Sequence, residues 1–376
     1  MVQEVMQPTQ TTDGAAVSGE HVTALELFFD LVFVFTITQL TSLLAKDPSL
    51  TGFLQMLLIF GNVWWMYGGY AWLTNAVPPR ELGVRLLLLV GMGGFLVVAL
   101  AIPTAFGAGG LAFGLGYLVV TLVHTGVFLR TSQQSVLKAM TGLGPFNLVT
   151  AGLLVVAGLT NGNARWLLFG AGFVLHWLTP LFTRTGGFRI RSGHFVERHG
   201  LILLIAIGES VVAVGIGLGT IALPAGRIAT ALLGLALAAG LWWLYFNGEE
   251  ERAEQALDGA AFERRAWMSL NAFGYVFLLV LGGIVLVAAG MKLAVVSYNE
   301  PSTLATAVLL AAGVAAYAIG LVLFRLVLDS GRLVFRLLIA ILALPTIWLG
   351  VGIAPAAQVS ALVLIIIAGI AADSRS

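Results

Sequence analysis

The chain has 376 residues, 59% of them hydrophobic and 10% charged, with a mean hydropathy of +0.99 and a net charge of +1. An ordinary soluble domain is about 45–50% apolar and about 25% charged, so a water-soluble surface cannot be covered with this composition. Soluble enzymes, nucleic-acid binders and disordered proteins are thereby excluded. The chain reads as an all-α, polytopic transmembrane bundle whose first partner is the lipid bilayer.

The first 20 residues are polar and contain no Lys or Arg. They lack the basic start of a cleavable signal peptide and read as a disordered cytoplasmic tail. A spanning helix needs about 20 mostly apolar residues. Twelve stretches meet that length, at 24–45, 51–74, 83–106, 108–129, 143–160, 164–183, 197–219, 226–247, 266–291, 302–325, 333–350 and 353–372. The fifth, with Asn147, and the eleventh, with Pro345, are the weakest. Their apolar runs do not alternate with polar residues, which excludes a membrane β-barrel. An inside N-terminus puts 15 Lys and Arg on the cytoplasmic side and leaves 4, Lys46, Arg165, Arg227 and Lys292, on the other. That bias predicts a plasma-membrane protein with both termini cytoplasmic.

Landmarks recur half a chain apart. Trp64-Trp65-Met66-Tyr67 returns as Trp242-Trp243-Leu244-Tyr245, Glu26 as Glu197 and Arg85 as Arg265, at offsets of 178, 171 and 180. Six spans separate the copies, so the pattern predicts a parallel 6+6 repeat over 21–185 and 186–376, an arrangement common in transporters. Interfacial enrichment of Trp and Tyr is the bland alternative.

An ionisable group at mid-membrane costs about 2.5–3.5 kcal/mol on insertion scales, so each one needs a reason. Glu26 and Asp30 lie four residues apart in the first span, on one helical face. Helix-dipole stabilisation at the headgroup level explains Glu26 equally well; Asp30, deeper among phenylalanines, points to a proton or cation site. In the seventh span, Glu209 stands near mid-membrane between Gly208 and Ser210. It is either protonated or paired across helices, a structural hydrogen bond being the bland reading. His124 and His176 fall at the expected depth of Glu26 and Asp30, and together these groups could form a proton path. His194, Glu197, Arg198 and His199 read as an interfacial group that binds lipid phosphate or caps the helix. The helical directions of His194, Glu197 and His199 diverge, so no metal site is predicted. No cofactor fingerprint appears either. The charged stretch from Glu249 to Arg265 reads as a short solvated helix.

Two motifs, Glu26-Leu27-Phe28-Phe29-Asp30-Leu31-Val32-Phe33-Val34-Phe35 and His194-Phe195-Val196-Glu197-Arg198-His199-Gly200, together with Gly208-Glu209-Ser210, resemble the low temperature requirement protein A family. The resemblance covers the chain from about residue 20 onward. It implies a multi-pass membrane protein connected by name with growth in the cold and without a settled activity. It also implies a Tyr-x-His in the ninth span, where this chain carries Tyr275-Val276-Phe277.

Three functions remain at this level. A proton- or cation-coupled transporter or channel for an unknown small solute accounts best for the buried carboxylates. A non-catalytic sensor of membrane state would use them only for packing. A lipid-acting intramembrane enzyme lacks any recognisable nucleophile or metal motif. Small-residue stripes serve packing within or between chains, so a homo-oligomer stays open.

Overall fold

The computed structural model describes residues 22–130, 134–183, 189–218 and 222–374. The expected N-terminal tail lies outside the described residues. What is described is an all-α bundle without strands. In chain order the helices are α1 (Ala24–Lys46), α2 (Leu50–Ala76), α3 (Leu82–Ala101), α4 (Gly110–Phe128), α5 (Gln134–Leu159), α6 (Asn163–Phe182), α7 (Ser192–Leu218), α8 (Ala225–Phe246) and the short α9 (Glu249–Gly259). Next come α10 (Phe262–Ser269), a π-helical segment (Leu270–Val276) that runs directly into α11 (Phe277–Ala294), and α12 (Leu304–Leu328). The last are α13 (Val334–Ala343), α14 (Ile347–Gly352) and α15 (Pro355–Ser374).

Eleven of the described helical stretches are long and apolar enough to cross a membrane. The predicted fifth and eleventh spans are among them. The predicted sixth forms the helix α6 but falls outside that group, because Asn163, Arg165 and His176 dilute its apolar character. Pro345 explains why the eleventh is not one straight helix. Proline removes an amide donor and its ring clashes with the preceding turn, and here α13 passes through a 3-10 turn at Leu344–Thr346 before α14 resumes. Large aliphatic side chains such as Leu82, Leu167, Leu181 and Leu364 face outward. Such a surface suits hydrocarbon rather than water.

Helices adjacent in the chain pack as antiparallel neighbours, α3 on α4, α4 on α5, α11 on α12 and α12 on α13. Helix α1 is central, touching α2, α3, α7 and α11. In a bilayer, helix association rests on packing and polar contacts, because lipid tails are as apolar as the side chains they would replace. Small residues therefore set the closest crossings. A Cβ on Gly283 of α11 would stand 2.7 Å from the Gly313 carbonyl oxygen of α12, and one on Gly313 would stand 2.8 Å from the Gly283 carbonyl. Gly94 and Gly116 bring α3 and α4 together in the same way, at 3.0 Å in each direction.

The four cations expected at the end opposite the arginine-rich one are accommodated by local oxygen atoms or helix position. Arg165 donates to the carbonyls of Ala157 and Thr160 at 3.1 and 2.9 Å, and to that of Gly107. Arg227 donates to the Val295 and Val296 carbonyls, both at 3.2 Å, and lies over the Tyr298 ring. Lys292 donates to Ser42 at 3.2 Å, and Lys46 sits in the last turn of α1. Helix C-termini expose unpaired carbonyls, which cations satisfy.

The glycine crossing gives a direct test. Gly313→Ala forces α11 and α12 apart and is expected to lower stability by about 1–3 kcal/mol, the usual effect of overpacking. Gly282→Ala, whose added Cβ meets nothing within 4 Å, is expected to lose no stability. Thermal unfolding of the two variants in detergent measures the difference.

Candidate functional site

The start of α1 is fixed by a reciprocal cap. The Thr23 hydroxyl accepts from the Glu26 amide at 3.3 Å, and the Glu26 carboxylate accepts from the Thr23 amide at 2.9 Å. This capping box holds Glu26 at the mouth of a crevice between α1, α2 and α7. One turn further in lies Asp30, completely buried. Opposite both, α7 projects Arg198, whose Nη1 lies 3.3 Å from Glu26 Oε1 and whose Nη2 lies 3.3 Å from Asp30 Oδ1.

Helix α2 supplies the third wall. The Tyr67 hydroxyl donates to Asp30 Oδ1 at 2.9 Å, and Arg198 also donates to the Thr74 hydroxyl. The guanidinium lies 5.6 Å from the ring centroids of both Phe29 and Tyr67, so cation–π attraction adds to the ion pairs. His194, one turn before Arg198, places Nε2 3.1 Å from Glu26 Oε1 and Nδ1 3.3 Å from the Asn75 amide. Two polar atoms of the cluster, Asp30 Oδ2 and Arg198 Nε, have no hydrogen-bond partner. A vestibule lined by Arg80, Arg85 and Arg191 leads from the surface to Glu26 and His194.

Glu209 belongs to a second polar layer. It faces Thr38 of α1 and feels the charge of Lys292 on α11, and its Oε1 has no partner. Asp30 and Thr38 are eight residues apart on α1, a rise of about 12 Å. The gap between the layers holds the buried side chains of Phe33 and Ile37. Ser210, beside Glu209, donates to the Ile207 carbonyl at 2.6 Å.

The remaining expected residues divide. His194 and Arg198, read from sequence as facing lipid phosphate, turn inward to the carboxylates. Glu197 instead accepts from the Val22 amide at 3.1 Å. His199 is enclosed by Trp64, Phe195, Phe273 and Phe277, with Nδ1 2.8 Å from the Phe195 carbonyl. Phe277, standing where the family resemblance implied a histidine, forms part of that enclosure. His124 and His176 stand apart from the carboxylates. His176 stacks on Trp65 and lies 3.3 Å from the Tyr117 hydroxyl, while His124 packs against Tyr70 and Phe128. No group of three metal-ligating side chains converges among the described residues.

The sequence reading missed a second buried charge network. Glu249 was expected on a solvated helix, yet its side chain is 1% exposed. The correction has a physical cause: α9 begins against the ends of α12 and α13, so its first residue meets two inward-facing arginines. Arg325 donates through Nε to both Glu249 oxygens at 2.9 and 3.1 Å, and Arg336 donates to Oε1 at 2.8 Å and to Asp373 at 2.6 Å. Elsewhere on α9, Glu251, Glu254 and Asp258 face solvent, whereas Ala253 and Leu257 are buried. Arginines at the ends of two predicted spans were the available signal, but nothing in their spacing named the partner.

The fold and its charged seam define a polytopic helical membrane protein with ionised groups held between its spans. More particularly, the chain belongs to the bacterial low temperature requirement A protein family, whose sequence profile matches residues 21–371. It is also similar to an uncharacterized protein of Rhizobium meliloti (strain 1021), 25% identical over 277 residues that cover 70% of this chain and 67% of the relative. No solved structure matches.

Removing one member of a buried ion network leaves the others uncompensated, at about 3–5 kcal/mol. Glu249→Ala is therefore expected to destabilise the protein by that amount in detergent unfolding. Glu251→Ala, at an exposed position, serves as the comparison, and equal effects of the two would contradict the assignment.

Proposed function

We propose that the protein is a proton- or cation-coupled transporter or channel for a small solute, with Glu26, Asp30, His194 and Arg198 as its coupling group. One observation carries the reading. Two buried carboxylates share one buried guanidinium, so full ionisation leaves one negative charge unbalanced where unbalanced charge is costly. A single proton shared between the two carboxylates restores neutrality, and such a coupled pair titrates as a unit. Packing alone would be served as well by apolar side chains of the same volume.

Two further features support a path along the seam between α1 and α7. The vestibule gives water access to Glu26 and His194 from one end. Glu209 and Lys292 form the second polar layer beyond Phe33 and Ile37. Passage between the layers then requires the seam to move, as expected where two bundles rock about a shared site. By the positive-inside rule, the vestibule end is cytoplasmic and the protein sits in the plasma membrane with both termini inside.

We also read the bundle as two six-span repeats. The paired glycine crossings Gly94–Gly116 and Gly283–Gly313 support this, as do two matching bonds. Tyr117 on α4 donates to the Asn62 carbonyl of α2 at 2.9 Å, and Tyr317 on α12 donates to the Leu241 carbonyl of α8 at 2.7 Å. The tryptophan landmarks do not share an environment: Trp64 is buried, whereas Trp242 and Trp243 are exposed.

Proton flux into sealed vesicles, followed with an enclosed pH-sensitive dye after a pH jump, tests the reading. Asp30→Asn and Glu209→Gln preserve shape while removing the exchangeable charge, and each is expected to reduce flux at least tenfold. Wild-type flux in both variants would refute the coupling role. Absence of flux in the wild-type protein, with any small solute supplied, would favour a membrane sensor.

A further inference from the structure

The face of α2 turned away from Asp30 borders an open-sided cavity that also involves α4, α5, α6 and the π-helical segment. We propose that this cavity binds an uncharged, planar aromatic or heteroaromatic solute bearing hydrogen-bonding atoms on its edge. The proposal names the substrate class of the transport reading above and rests on that reading only for its link to transport.

The walls set the shape. Trp65 and Trp72 project from α2, while Gly68 between them leaves room beside the helix and Gly69 lets the His124 ring pack against it. Ring faces favour a flat partner through stacked or edge-on contact. Among the described residues the lining contains no Asp, Glu, Lys or Arg, so a charged solute would be desolvated there without a counter-charge.

Polar groups set the edge chemistry. His124 is 3% exposed and lines the cavity; its ring lies against the Gly69 backbone, and no side chain supplies a hydrogen-bond partner to either ring nitrogen. A neutral imidazole offers one donor and one acceptor; the Gly69 backbone can meet one of them, and leaving the other unmet in an apolar setting is unfavourable. Asn147 accepts from the Trp65 indole at 3.1 Å, which keeps its amide donors available in orientation for a ligand acceptor. A lipid chain in the cavity would satisfy none of these atoms. The π-helical segment contributes Gly274, whose carbonyl accepts from the Trp64 indole at 2.7 Å; such segments recur at functional sites.

Trp64 also links the cavity to the charge cluster. Its ring stacks on Tyr67 at 5.1 Å, and the Tyr67 hydroxyl is the one that donates to Asp30. A solute pressing on Trp64 therefore acts on the partner of the buried carboxylate through a single stacked ring.

Benzimidazole, which is planar and carries one ring donor and one ring acceptor, is the probe. It is titrated by calorimetry into the full-length protein in detergent, with choline as a cationic comparison. Benzimidazole is expected to bind at least tenfold more tightly than choline. A Cβ at Gly68 meets nothing within 4 Å, so Gly68→Leu grows into the cavity and is expected to weaken benzimidazole at least tenfold. His124→Phe keeps a ring but removes both nitrogens, and is expected to weaken it by a similar factor; it also serves if Gly68→Leu does not fold. No benzimidazole binding, binding unchanged in both variants, or equal binding of choline overturns the proposal. Binding in detergent without flux in vesicles would reject transport while leaving the cavity's assignment intact, and flux without binding would do the reverse.

Discussion

The arrangement depends on one buried cation. Arg198 of α7 sits where α1, α2 and α7 meet and holds the other two helices, α1 through the carboxylates of Glu26 and Asp30 and the face of Phe29, α2 through the hydroxyl of Thr74 and the face of Tyr67. A guanidinium out of water persists only if its charge and donors are met nearby. That requirement explains why the carboxylates lie one turn apart on α1, why Tyr67 is buried with its hydroxyl aimed at Asp30, and why the capping box brings Glu26 inward. The ionic grouping thereby sets the register of the two motif-bearing helices against each other.

The same requirement separates structural charge from charge that can change. Around Glu249, three arginines face two carboxylates, and the contacts are short and reciprocal. This network ties α9, α12, α13 and α15 together and needs no exchangeable proton to explain it. Around Arg198 the balance runs the other way, with carboxylates in excess, a histidine in contact, and an oxygen and a nitrogen left unpaired. The two networks thus lie at the same end of the bundle with opposite imbalance, the first matched by its arginines and the second forming the seam to which the proposed exchangeable proton belongs.

Much of this was legible in the sequence. Apolar runs of spanning length located the helices, because hydrocarbon demands internal satisfaction of every backbone group. Glu26, Asp30 and Arg198 were conspicuous because charge in such runs is rare. Their mutual pairing was not legible: helical geometry relates residues along one helix, whereas Arg198 reaches Glu26 and Asp30 across 172 and 168 positions of chain. For the same reason His124 and His176 shared an expected depth with the carboxylates yet pack elsewhere in the bundle. Glu249 was misread because a run of three glutamates resembles any solvated helix start, and burial of its first member is decided by distant arginines. The aromatic cavity carried no motif, being assembled from four spans and a π-helical segment.

The central claim is that the Arg198 cluster holds one exchangeable proton. Infrared difference spectroscopy of the protein in lipid, recorded across a pH titration, tests it most directly. A protonated-carboxyl band that grows on acidification and is lost or altered in Asp30→Asn is the predicted result. A carboxyl spectrum identical in the wild-type protein and in Asp30→Asn at every pH would contradict it.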